Sequence, residues 1–228
     1  MNTVLVTGAT RGIGLELVKQ FLENGNQVFA TYRGHTPPDA LNALLSTNQL
    51  SLRPLQVTDE KSIAELVTIL DGIAIDILIN NAGSIGPVNQ SYQDMDAKGW
   101  AEAFRVNTIA PLMVTSALIP NLAISDSPRV ITISSQMGSL HRESVGMHAY
   151  RSSKAAVNKV MQVLALELKE KGIIVCPVHP GWVRTDMGGE DAEISAKESA
   201  QGIVALTSQL TLADTGKFLT WEGKEHAW

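Results

Sequence analysis

The first fourteen residues limit this chain more than any other stretch. Thr3-Val4-Leu5-Val6 has the character of a buried strand, and Thr7-Gly8-Ala9-Thr10-Arg11-Gly12-Ile13-Gly14 leads from it into a helical pattern with Ile13, Leu17, Phe21 and Leu22 on one side. The order is strand, glycine turn, helix. In such a turn Gly8 permits a tight reversal, Gly12 lets the backbone approach a pyrophosphate lying on the helix N-terminus, and Gly14 allows close helix-to-strand packing. The spacing is G-x3-G-x-G rather than G-x-G-x2-G, a variant of the dinucleotide fingerprint. The same three glycines also suit a turn needed only for packing.

The alternation continues down the chain. Strand patterns are expected over 27–32, 52–57, 75–80, 129–134, 173–178 and 217–221. Between them fall helical patterns: one near 39–46, one capped by Asp59 with Ile63, Leu66, Val67 and Leu70 buried, one over 98–122 kinked at Pro111, one from Tyr150 to about 171, and one over 197–209. Strands alternating with helices imply an α/β fold with a parallel sheet covered on both faces. With 228 residues and a mass of 24.5 kDa, one domain spanning 1–228 is expected. The irregular segments 84–96 and 136–148 are assigned to the rim of a site.

A net charge of -5 and a pI near 5.5 leave no basic footprint, which argues against a nucleic-acid partner. The lone Cys176 sits in a strand pattern and reads as a core residue without a disulfide partner. The five histidines lack metal-ligand spacing, so no metal site is expected. Met1-Asn2 runs straight into the first strand and no apolar run is long enough to span a bilayer, which points to a cytoplasmic protein with no membrane partner.

Chemistry is suggested by Tyr150 and Lys154, one helical turn apart, downstream of a strand that closes in Ser134-Ser135. A phenol beside an ammonium is a tunable acid and base, because a neighbouring cation favours the phenolate. The same pair at i,i+4 is also an ordinary surface contact.

Taken together, the glycine turn, Asn80-Asn81-Ala82-Gly83, Asn107, Ser135 with Tyr150 and Lys154, and Pro180-Gly181 resemble the short-chain dehydrogenase/reductase family over nearly the whole chain. Within it, His179-Pro180-Gly181-Trp182-Val183-Arg184-Thr185-Asp186-Met187-Gly188-Gly189 and the tail from Gly216 to Trp228 look like the C-factor/sniffer, carbonyl-reductase-like branch. The resemblance implies a Rossmann-type, doubly wound sheet of seven parallel strands in the order 3-2-1-4-5-6-7. It also implies a Ser-Tyr-Lys-Asn site. Ser135 would hydrogen-bond a substrate oxygen, and Tyr150 would pass the proton. Lys154 would orient the cofactor and lower the Tyr150 pKa, and Asn107 would hold a water leading protons towards the lysine. Ser135 is chosen over Ser134 on the Ser-x2-Gly pattern completed by Gly138 and on strand alternation.

By the same resemblance Gly8, Thr10, Arg11, Gly12, Ile13 and Gly14 would hold the dinucleotide's phosphates, and Gln56 and Val57 would flank its adenine. Asn81, Ala82 and Gly83 would pass beneath it, with Pro180, Gly181, Val183 and Thr185 at the nicotinamide end. Many family members carry Asp where this chain has Gln56. No acid follows the second strand, where the sequence reads Tyr32-Arg33, so Arg33 with Arg11 would clamp a 2′-phosphate and favour NADP(H), with NAD(H) as the alternative. Trp182 and Met187 read either as a lid over the substrate or as packing, and His148 either as lining the cleft or as facing solvent. The expected activity is interconversion of a small-molecule carbonyl and an alcohol, in a homodimer or homotetramer. The alternative is a dinucleotide-binding regulatory protein of C-factor type with little turnover.

Overall fold

The computed structural model describes residues 1–45 and 48–228. Seven strands, β1 (Thr3–Val6), β2 (Gln27–Tyr32), β3 (Leu50–Pro54), β4 (Ile77–Asn80), β5 (Arg129–Ile133), β6 (Ile174–His179) and β9 (Leu219–Thr220), form one parallel sheet in the order β3-β2-β1-β4-β5-β6-β9. Two further strands, β7 (Val183–Arg184) and β8 (Ile194–Ser195), pair beside it, an element the sequence pattern did not indicate. The main sheet is the seven-stranded, doubly wound arrangement expected.

Period-two alternation sends successive strand residues to opposite faces. Val4, Val6, Ile77, Ile79, Ile131, Cys176 and Val178 fill one core under α1 (Gly12–Glu23) and α8 (Ala196–Gln209). Leu5, Leu78, Val130 and Val175 fill the other, under α3 (Glu60–Ile69), α5 (Ala110–Ala117) and α7 (His148–Leu168). Burying each such side chain contributes about 1.5–3 kcal/mol, which is why strands covered on both sides read as continuous apolar runs. Cys176 is buried as expected, and that burial, reinforced by Asp214, pushes its thiol up to about 12.

Two expectations are corrected in detail. The helix expected over 39–46 is α2 (Asp39–Asn42), and position 46 lies outside the described residues. The long helix expected over 98–122 is instead α4 (Ala97–Phe104), a π turn (Arg105–Ile109), α5, and α6 (Ile119–Ile124). The backbone stays helical from α4 through the π turn into α5, so Pro111 lies inside a helical run, and the irregularity expected at the proline falls just upstream of it as the π turn.

The tail returns along the sheet margin. Leu219 bridges Glu225 antiparallel, Thr220 N–H donates to Lys224 O (2.8 Å), and His226 N–H donates to Phe218 O (2.7 Å). The Trp228 ring lies 5.7 Å from that of Phe218, and its carbonyl accepts from His141 N–H in the 136–148 rim. Among the described residues, no helix is long and apolar enough to cross a membrane.

Candidate active site

Parallel strands bring the Gly8 turn, the Asn81 loop, Ser135 and Pro180-Gly181 to one sheet edge, beyond the strands' carboxyl ends and where the chain crosses from β3 back to β4. The turn after β1 is clasped from β4. The Asn81 side-chain amide donates to the carbonyls of Thr7 and Gly8, both at 3.0 Å, while Thr7 Oγ1 accepts from the N–H groups of Asn81 (3.0 Å) and Ala82 (3.1 Å). Thr7 is a positioning group that sequence reasoning passed over; a hydroxyl between strand and glycine was its only signal.

Glycine is required at Gly14 by space alone. A Cβ there would lie 2.3 Å from Gly8 O and 2.4 Å from Asn81 Nδ2. At Gly8 it is required by conformation as well, with φ at +64° and Ala82 Cα only 2.8 Å from where a Cβ would stand. The N-terminus of α1 has no side-chain cap and no acidic residue in its first turn, so its amides are left for an external acceptor. Thr10, Gly12 and Ile13 belong to this turn, with Thr185 Cγ2 3.2 Å from a Cβ placed on Gly12. These residues fit an anionic dinucleotide.

Tyr32 is buried at the end of β2 and Arg33 is exposed just beyond it. The Arg11 guanidinium pairs with Asp186 of the loop after β7. Val57 is buried and Gln56 exposed, with Gln56 N–H donating to Ser62 Oγ (2.9 Å). Pro180 O accepts from Ser199 Oγ (2.6 Å), Gly181 takes φ +89° against Ile194 and Trp221, Val183 is buried, and Thr185 Oγ1 accepts from Gly188 N–H. Trp182 and Met187 are both largely exposed, with Trp182 Nε1 donating to Gly188 O.

The two serines after β5 part as the strand's alternation requires. Ser134 turns to Asn158 of α7, whereas Ser135 lies near enough to Tyr150 for its hydroxyl to oppose the rise of the phenol's pKa. Ser135 Oγ accepts from Met137 N–H (3.1 Å), which leaves its own proton free to be donated. The 3-10 turn Gln136–Gly138 makes this approach possible, because Gly138 lies against α7 so closely that a Cβ would be 2.6 Å from the Lys154 carbonyl carbon.

Lys154 is 5% exposed; its Nζ donates to Ile133 O (2.7 Å) and stands 5.9 Å from the Tyr150 ring centre. Burial pushes its pKa down to about 8. Tyr150 shifts opposite to the expectation: burial raises its pKa, and the group opposing that rise is the Ser135 hydroxyl, not Lys154. The lysine's hydrogen bond goes to the end of β5. Asn107 is buried in the π turn, where its Nδ2 donates to Ser84 O (2.7 Å) and Ser153 Oγ (2.9 Å) and its Oδ1 accepts from Ser84 N–H (2.8 Å). A Cβ on Gly83 would sit 3.4 Å from Asn107 Oδ1 and 3.8 Å from Lys154 Nζ, so these three groups share one wall. No group of His, Cys, Asp and Glu among the described residues is arranged to hold a metal.

Known proteins resemble the chain in sequence and in fold. Residues 2–195 match the family model described as short chain dehydrogenase. The chain is 39% identical over 155 residues to C-signal of Myxococcus xanthus, covering 68% of this chain and 93% of that protein. It superposes on the NADPH-bound carbonyl reductase from chicken fatty liver with a TM-score of 0.92 at 37% identity, over 100% of this chain and 99% of that one. For the carbonyl reductase Sniffer of D. melanogaster the TM-score is 0.91 at 28% identity, over 100% of both chains.

Proposed function

The chain belongs to the short-chain dehydrogenase family, and from that premise we propose that it is an NADP(H)-dependent oxidoreductase interconverting a ketone or aldehyde and an alcohol. What supports the reading is that Ser135, buried Tyr150 and buried Lys154 lie together at the same sheet edge as the uncapped glycine turn. When bound, the dinucleotide supplies or accepts the hydride.

Ser135 donates its hydroxyl proton to the substrate oxygen and seats that oxygen beside Tyr150. Tyr150 is protonated at neutral pH because burial raises its pKa. It gives its proton to the oxygen as negative charge develops in reduction and takes it back in oxidation. Lys154, buried with a pKa of about 8, would orient the nicotinamide end of the cofactor beside Tyr150, and Asn107 holds the Ser84 backbone on the lysine's side of the cleft.

Gly8, Thr10, Arg11, Gly12, Ile13 and Gly14 would hold the phosphates, and Asn81, Ala82 and Gly83 the underside. Tyr32, Arg33, Gln56 and Val57 would hold the adenosine end. Pro180, Gly181, Val183 and Thr185, with Tyr150 and Lys154, would hold the nicotinamide end. An exposed guanidinium and no carboxylate after β2 favour a 2′-phosphate, and the chicken relative is NADPH-bound. NADP(H) is therefore preferred over NAD(H). The site faces a cytoplasmic pool of small carbonyl or alcohol substrates in this reading.

Assembly follows from a second surface. The π turn and α5 pack on α7, and they leave Ile109 51% and Leu166 72% exposed, with Met113 and Val163 also exposed. This apolar face suits a second copy in a homodimer or homotetramer.

The test is oxidation of NADPH and NADH with a panel of carbonyl compounds. Wild type is expected to turn over with NADPH, and Tyr150→Phe to lose about 10²–10⁴-fold in kcat while still binding NADPH. The likeness to C-signal favours a second reading, a dinucleotide-binding regulator, for which NADPH would bind but no Tyr150-dependent turnover would be seen.

A further inference from the structure

The N-terminus of α7, the helix that carries Tyr150, is held by a residue nearly sixty positions away. Helix N-termini leave N–H groups that need acceptors, ordinarily supplied by a polar side chain at the cap. Asp59 on α3, Asp96 on α4 and Ser195 on α8 serve in that way. For α7 the cap residue is Met147, which has no acceptor and takes the left-handed φ of 53°, a conformation unfavourable for any residue but glycine and sustained only by its surroundings.

The acceptors for this helix start come from Gln90, on the 84–96 rim. Its Oε1 accepts from Tyr150 N–H (3.0 Å), and its main-chain carbonyl accepts from His148 Nδ1 (2.9 Å) and, more weakly, His148 N–H (3.4 Å). Its Nε2 donates to Ile85 O and Pro87 O, both at 2.8 Å, so both amide hydrogens are used. A Cβ on the intervening Gly86 would lie 3.4 Å from both Gln90 Nε2 and Ala149 Cβ, so glycine there lets the rim pack closely between the amide and the first turn of α7. The same rim begins at Ser84, which Asn107 holds by two hydrogen bonds.

We propose that Gln90 is a positioning residue for Tyr150: it caps α7 from outside and fixes the direction in which the phenol meets Ser135, an inference that rests on the oxidoreductase reading above. A substrate lying against the 84–96 rim then presses on the same amide that sets the proton donor, and the rim takes part in selecting substrates as well as in walling the cleft. Misplacing a reacting group by about 1 Å costs on the order of 10²-fold in rate, so a cap that controls one turn of helix is sufficient to matter.

Gln90→Ala and Gln90→Glu test it with two kinds of readout. In Gln90→Ala, amide hydrogen exchange at Tyr150 should quicken by about tenfold, as befits a lost cap. In the same variant kcat should fall ~10- to 10²-fold with KM for NADPH unchanged. Gln90→Glu keeps an acceptor for Tyr150 N–H but turns an oxygen toward the carbonyls of Ile85 and Pro87. Protonating that oxygen restores a donor, so kcat of this variant should recover as pH falls, through an inflection absent from wild type and from Gln90→Ala. Unchanged exchange at Tyr150, no added inflection in Gln90→Glu, or a joint loss of kcat, cofactor affinity and global stability would each overturn the proposal. If wild type shows no turnover at all, the oxidoreductase reading fails, while the exchange measurement still decides whether Gln90 caps the helix.

Discussion

Lys154 and Tyr150 both sit where ionisation is disfavoured, and their responses to pH have opposite signs. Burial holds the lysine at about 8 instead of its ordinary 10.5. Between those values the unfolded chain keeps a proton that the folded chain has released, so this group's contribution to stability rises with pH from about 8 to 10.5 and is unfavourable below that window. Across the whole window the effect is on the order of 3 kcal/mol. Urea titrations at stepped pH should show wild type gaining stability relative to Lys154→Met over that range; parallel curves would mean the ammonium is well solvated. The Tyr-x3-Lys spacing and the parting of Ser134 from Ser135 could be read from the chain, because helical and strand periods dictate them. The direction of the Tyr150 shift could not. It depends on how deeply the ring is buried, set against the opposing Ser135 hydroxyl, and the depth of burial is not written in local spacing. Gln90 was equally hidden, since its partner is sixty residues on.

Elements with a clear period and a clear stop were legible. Strands covered on both faces announce themselves as apolar runs, α3 begins where its cap, Asp59, puts it, and α8 (Ala196–Gln209) lies within one residue of the 197–209 expected. The segment before β5 was not legible in the same way. Its apolar pattern runs on through the π turn, where buried Asn107 meets Ser84 and Ser153, and these partners are distant in sequence. Single glycines settle how elements meet. Gly138→Ala would drive a methyl into the backbone of α7 at Lys154 and Ala155. Overpacking of this kind costs about 1–3 kcal/mol. The 3-10 turn must then lift, carrying Ser135 away from Tyr150, so kcat should drop by about tenfold or more with NADPH affinity retained. A variant with normal kcat would show that the serine does not depend on this contact.

At the scale of the molecule, the alternation of strands and helices predicted the class of fold, whereas the strand order came from family resemblance, because no local pattern says which parallel strands are neighbours. The proposed assembly is testable here as well. Light scattering at micromolar concentration should give two or four times 24.5 kDa, and Leu166→Glu, which plants a charge on the outer face of α7, should shift the mass toward 24.5 kDa. A monomer at all concentrations would remove the proposal. The tail has a consequence of another kind. By folding back on Leu219 and Thr220 it occupies the backbone groups that the last strand would otherwise turn outward. The sheet thus ends there in a seam already closed by its own chain, and a stray extended peptide finds no template for fibril growth on that border.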